Sequence, residues 1–115
     1  MDLFDEVIRN GGATICPYTN KNWGGDGYAV SLNGYESRIA KDIINRALFY
    51  QMLERYSDIA KRNGGFIGVW IDENGNWIFD ISLIYYNLQH ALDIAKLEMQ
   101  KYIYDFKEKK NLPVE

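Results

Sequence analysis

Between residues 66 and 82 two β-favouring runs, Phe66-Ile67-Gly68-Val69-Trp70-Ile71-Asp72 and Trp77-Ile78-Phe79-Asp80-Ile81-Ser82, flank Glu73-Asn74-Gly75-Asn76. Asn-Gly tolerates the positive φ angles that tight turns demand, while aromatic and β-branched residues favour extended backbone, so the stretch is expected to form a β-hairpin. With Asn74 and Gly75 as the two turn residues, Asp72 faces Trp77, Trp70 faces Phe79 and Val69 faces Asp80. One face then carries Phe66, Trp70, Trp77, Phe79 and Ile81. The other carries Ile67, Val69, Ile71 and Ile78, with Asp80 and Ser82 among them. Both faces are apolar, so each is expected to be at least partly covered, one by a helix and the other by a partner.

The rest of the chain supplies elements to pack on this hairpin. Asp2 to Arg9 spaces Leu3, Phe4, Val7 and Ile8 as a short helix stopped by Asn10-Gly11-Gly12. Ala13 to Cys16 and Tyr28 to Leu32 read as a strand pair joined by a long glycine-rich loop in which Trp23 is exposed. Ser37 to Asn63 reads as the longest helix, with Ile44, Leu48, Met52, Tyr56 and Ile59 at helical steps and Gly64-Gly65 as its stop. Asn87 caps a second main helix whose inward stripe is Leu88, Ala91, Leu92, Ala95 and Met99. Gln100 to Phe106 either continues that helix or, since Tyr102, Tyr104 and Phe106 alternate, forms a last strand, the reading favoured here. The charged segment Lys107 to Glu115, with Pro113 inside it, is expected to fray. The expectation is a single α+β domain over residues 1–106: an antiparallel sheet of four to five strands, with two main helices packed chiefly on one face.

At 115 residues with 47% hydrophobic and 15% aromatic side chains, the chain can bury a core of its own. The net charge of −3 disfavours nucleic acid as a partner. Residues 66–95 hold four carboxylates and no cation, an acidic block that suggests an acidic face. A lone cysteine, Cys16, and an acidic N-terminus point to the cytoplasm. No run is long and apolar enough to span a bilayer, so no membrane is expected.

Chemistry-bearing residues are sparse. His90 and Cys16, each single, cannot supply a zinc set, and no metal or other cofactor is expected. Asp72-Glu73-Asn74-Gly75-Asn76 opens like a calcium loop, but Trp77 and Leu83 occupy the positions that need Gly and Glu, so the turn reading stands. Gly24-Gly25-Asp26-Gly27 lacks the Lys-Ser/Thr of a phosphate loop. Asp80, set among aliphatic residues, is read as a structural polar group whose loss costs stability. An acid–base role for it with His90, in a small enzyme or ligand-binding module, is the alternative. A nucleic-acid role for Lys21, Trp23, Tyr28, Tyr35 and Arg38 is a further one. Nine tyrosines and three tryptophans exceed what a small core needs and suit a protein-binding surface. Trp23, Trp70, Trp77, Phe79, Asp72 and Glu73 are the candidate partner-binding residues.

Four short motifs occur in order: Asn10-Gly11-Gly12-Ala13-Thr14, Gly27-Tyr28-Ala29-Val30-Ser31, Gly68-Val69-Trp70-Ile71-Asp72 and Phe79-Asp80-Ile81-Ser82, followed by Ile103-Tyr104-Asp105. The arrangement resembles a family of small phage and mobile-element proteins of Gram-positive bacteria, over about residues 10–106. No catalytic residues are assigned in that family. The resemblance implies a non-enzymatic accessory protein in a bacterial host cell. Such a protein, acting as a monomer or homodimer, would bind and block or modulate a host protein, for example an immune-system component, as anti-CRISPR inhibitors do. Fold alone does not determine such a role.

Overall fold

The computed structural model describes residues Asp2 to Glu115; Met1, at the head of the expected domain, lies outside them. Among the described residues the chain is α+β, with three helices and seven strands in one curled antiparallel sheet. The order along the chain is α1 (Leu3–Asn10), β1 (Gly12–Ile15), β2 (Tyr28–Ser31), β3 (Ser37–Ile39), α2 (Arg46–Asn63), β4 (Phe66–Ile71), β5 (Trp77–Tyr85), α3 (Leu88–Leu97), β6 (Tyr102–Asp105) and β7 (Lys110–Pro113). The sheet runs β1-β4-β5-β2-β6-β7, and the start of β5 also pairs β3.

The expected hairpin is there, β4 to β5, but its register differs by one residue. Ile71 pairs Trp77, Val69 pairs Phe79 and Gly68 pairs Asp80. The loop is the three residues Glu73-Asn74-Gly75, with Gly75 at φ 83°, closed by hydrogen bonds between Asp72 and Asn76 and from the Gly75 N–H to the Asp72 carbonyl. A three-residue loop ending in a left-handed glycine shifts the pairing relative to a two-residue turn, and a one-residue shift changes which residues share a face. Trp77, Phe79 and Ile81 therefore lie with Ile67, Val69 and Ile71. Trp70 lies instead with Phe66, Gly68, Ile78, Asp80 and Ser82.

All three helices lie on the Trp77–Phe79 side. α1 and α2 cover a cluster of buried residues including Val7, Ile15, Phe49, Leu53, Tyr56, Ile67, Val69, Trp77, Phe79 and Ile81. α3 covers a smaller one of Val30, Ala91, Ala95, Ile103 and Val114. Gly11 ends α1 in the left-handed conformation, at φ 79°. α2 begins only at Arg46, where the Asn45 side chain accepts the Leu48 N–H, and Ile44 packs into the same cluster as Phe49, a hydrophobic staple across the cap. Residues 37–39, expected to be helical, instead form β3.

Three further expectations are corrected. The strands at residues 12–15 and 28–31 do not pair with each other, because β4 and β5 lie between them. The sheet has seven strands rather than four or five. The segment after residue 106 is not frayed: Lys110–Pro113 pairs β6 and Val114 is buried. The favoured strand at the end of the domain is present as β6.

Candidate functional site

No helix among the described residues packs on the other face of the sheet. Alternation along the strands puts Phe66, Gly68 and Trp70 of β4, Ile78, Asp80, Ser82 and Ile84 of β5, Ala29 and Ser31 of β2, Arg38 of β3 and Tyr104 of β6 on this open face. Its centre is a floor of small side chains around Asp80. Asp80 is only 8% exposed, and its carboxylate accepts hydrogen bonds from the Ser31 hydroxyl at 3.0 Å and the Ser82 hydroxyl at 3.2 Å. Opposite it, Gly68 has no Cβ because there is no room: a methyl group there would lie 2.0 Å from Asp80 Oδ1. Burial pushes the Asp80 carboxyl above the ordinary carboxylate range; the two serine hydroxyls oppose the rise, the Glu36 charge adds to it, and the Trp70 indole opposes it.

Around this floor stand larger side chains. Trp70 is 43% exposed and shares its row with Ile78 and Arg38. Arg38 is engaged with Asp72 at 2.9 Å and, more loosely, Glu36 at 3.9 Å. The loop after β1 folds back along that strand, with the Trp23 N–H donating to the Thr14 carbonyl. This puts the Trp23 ring edge-on to Phe66 at 5.3 Å, and its indole N–H donates to the Asp26 carbonyl.

Among the candidate residues, then, Trp70 and Trp23 reach the open face. Trp77 and Phe79 do not: at 5% and 0% exposure they lie in the α1/α2 core, ringed by Phe4, Phe49 and Tyr56, out of a partner's reach. The register change is the cause. Asp72 is largely committed to its own turn, its Oδ1 accepting the N–H groups of Asn74 and Asn76, while Glu73 is exposed at the tip. The acidic block forms no single face, since Asp80 is buried, Asp72 and Glu73 sit at the turn, and Asp93 lies on α3.

Asp80 and His90 are not brought together. His90 stacks edge-on against Tyr85 at 4.9 Å, on the helical side. Two surface hollows, of about 410 and 400 Å³, lie at the end of α3 beside Val114 and along α2 at Asp58, Lys61 and Arg62, and neither includes Asp80 or His90. Cys16 is half-buried; desolvation, the strongest single influence, raises its thiol, but hydrogen bonds from Thr19 and the Tyr18 N–H together hold it below the usual thiol range. Among the described residues no helix is long and apolar enough to cross a membrane. The Ser31–Asp80 pairing and the Gly68 contact were missing from the sequence reading, and the only signal for them was a carboxylate and a glycine in two adjacent apolar runs. Comparison with protein-family models, curated proteins and solved structures gives no match.

Proposed function

We propose that this chain is a non-enzymatic binding module that recognises another protein through the open face of its sheet, with Trp70 as the central contact. The observation that carries this reading is a large indole, 43% exposed, on a sheet face that no helix among the described residues covers. Tryptophan is favoured at interface hot spots because it removes much apolar area from water at small cost in side-chain entropy. Trp23 and Phe66 extend the apolar border, and the hydrogen-bonded floor beneath holds Trp70 on a rigid platform. The resemblance to phage and mobile-element proteins supports a host protein as the partner, such as an immune-system component. Blocking or modulating that protein is then the activity.

The test is capture of proteins from a nuclease-treated lysate of a Gram-positive host by wild type and Trp70→Ala, side by side. One stoichiometric protein held by the wild type should be lost by the variant, a weakening of about 2 kcal/mol or more, with the two baits melting together. Equal capture by both baits overturns Trp70 as the contact.

A further inference from the structure

Asn-Gly occurs four times in the chain, as Asn10-Gly11, Asn33-Gly34, Asn63-Gly64 and Asn74-Gly75. In such a pair the glycine nitrogen can attack the asparagine side-chain carbonyl, because glycine has no side chain to crowd the approach. The attack needs a backbone nitrogen that is not committed to another group, so the fold decides which pairs react. Three of the four are held. The Gly11 N–H donates to the Val7 carbonyl at 2.7 Å, closing α1. The Gly64 N–H donates to the Lys61 carbonyl at 3.4 Å, and the Asn63 amide itself is tied to the Ile59 carbonyl at 2.8 Å. The Gly75 N–H donates to the Asp72 carbonyl at 3.0 Å. Asn33-Gly34 is different. Both residues are exposed in the turn between β2 and β3. Among the described residues no acceptor meets the Gly34 N–H and no partner holds the Asn33 side-chain amide. Gly34 stands in open space, with nothing within 4 Å of where a Cβ would lie.

We propose that Asn33 is a site of spontaneous modification, converting to aspartate and isoaspartate ahead of the other three asparagines, and that the conversion loosens the end of α3. The Gly34 nitrogen gives its proton to solvent and bonds to Asn33 Cγ. The bond from Cγ to the side-chain nitrogen breaks, and that nitrogen leaves as ammonia with a proton taken from water. Water then opens the cyclic imide at either carbonyl, leaving one carboxylate where a neutral amide stood; nothing is oxidised or reduced. The position of that carboxylate gives the reaction its consequence. The Asn33 backbone N–H donates to Glu98 Oε1 at 2.8 Å, a charge-assisted bond that ties this turn to the residue capping α3. A carboxylate on the same residue sets a like charge beside Glu98, at the helix end where the dipole already disfavours negative charge. The helix affected covers the smaller of the two buried clusters.

The test ages the whole folded chain at mildly alkaline pH in heavy-oxygen water, digests it with pepsin in acid, where the reaction does not run, and follows the peptides by mass spectrometry. Heavy oxygen should enter at Asn33 at least threefold faster than at Asn10, Asn63 or Asn74. Asn33→Gln should abolish that fast component, since the longer side chain closes its ring far more slowly. Faster entry at another pair, or equal rates at all four, overturns the site. The consequence is read by hydrogen exchange in unaged variants. Asn33→Asp should speed exchange at the end of α3, and should do so less in the Glu98→Gln background, where no like charge meets the new carboxylate. Equal acceleration in both backgrounds, or none in either, overturns the link to α3.

Discussion

The two helical clusters on the same sheet differ in what holds them. Under α1 and α2, the ring systems of Phe4, Phe49, Tyr56, Trp77 and Phe79 pack edge-on, tilted or stacked at 5.1–5.9 Å. Two ties reinforce them: Arg46 bonds Asp2 and Asp5 across the helices, and the Tyr56 hydroxyl donates to the Tyr35 carbonyl and accepts from the Ser37 hydroxyl, latching β3 to α2. Under α3 there are two alanines, two valines and one isoleucine, with β6 joined to β2 over only two residue pairs. Each fully buried large apolar side chain contributes roughly 1.5–3 kcal/mol, so the first cluster carries most of the chain's stability. The second region, α3 with β6 and β7, is the part expected to open first.

Cutting one anchor from each cluster should separate the two regions most strongly. Phe79→Ala should cost about 3–5 kcal/mol and Ile103→Ala about 2–4 kcal/mol in thermal or denaturant unfolding. Their patterns should differ more than their sizes. Hydrogen exchange in Ile103→Ala should accelerate in β6 and β7 while β4 and β5 keep their protection. Acceleration of all four strands together would mean a single cooperative unit and would end the distinction.

On the open face the expected effects are smaller. Gly68→Ala forces a methyl against Asp80 Oδ1, and it should destabilise by about 1–3 kcal/mol, as overpacking does. Asp80→Ala removes the obstacle but also the acceptor for Ser31 and Ser82, so it destabilises by itself. In Gly68→Ala/Asp80→Ala the two losses should be less than additive, since the second change relieves the first. Strict additivity would show that the glycine is not there to make room for the carboxylate.

The smallest expected effect is in pH. Asp80, raised by burial in the folded chain, binds its proton more tightly there than in the unfolded chain. Its contribution to stability is therefore greatest below the ordinary value of 3.8 and is lost as the pH rises toward the folded-state value. Asp2 has the opposite sign: the Asp5 N–H, aided by Arg46, holds it at about 2, so its contribution is present above 3.8 and lost as the pH falls through 2. Melting wild type and Asp80→Asn in parallel isolates the first effect. The wild type's advantage should shrink as pH rises from 4, and a constant difference would contradict the buried-carboxylate account.

How much of this was legible depends on the range of the forces involved. Turns and helix ends were readable because a few neighbouring residues decide them. Gly75 and Gly11 adopt left-handed backbone that other residues rarely take, and Asn87 caps α3 with its own side chain. The start of α2 was equally local, in Asn45 and the Ile44–Phe49 staple, but the apolar spacing upstream hid it. β7 was not readable, because Lys110, Asn111 and Pro113 have little strand propensity and are held by pairing with β6.

From its sequence alone, then, this chain specified an α+β domain, the β4–β5 hairpin and the stops of α1 and α2, since each follows from backbone preferences and spacing within a few residues. Tertiary structure decided the register, the strand order and which tryptophan meets solvent. The reason is that β4 and β5 are apolar on both faces. Without alternation to choose a side, the choice fell to the Gly75 loop and to the packing of α1 and α2. Those helices took Trp77 and Phe79 into the core and left Trp70 above Asp80 on the open face.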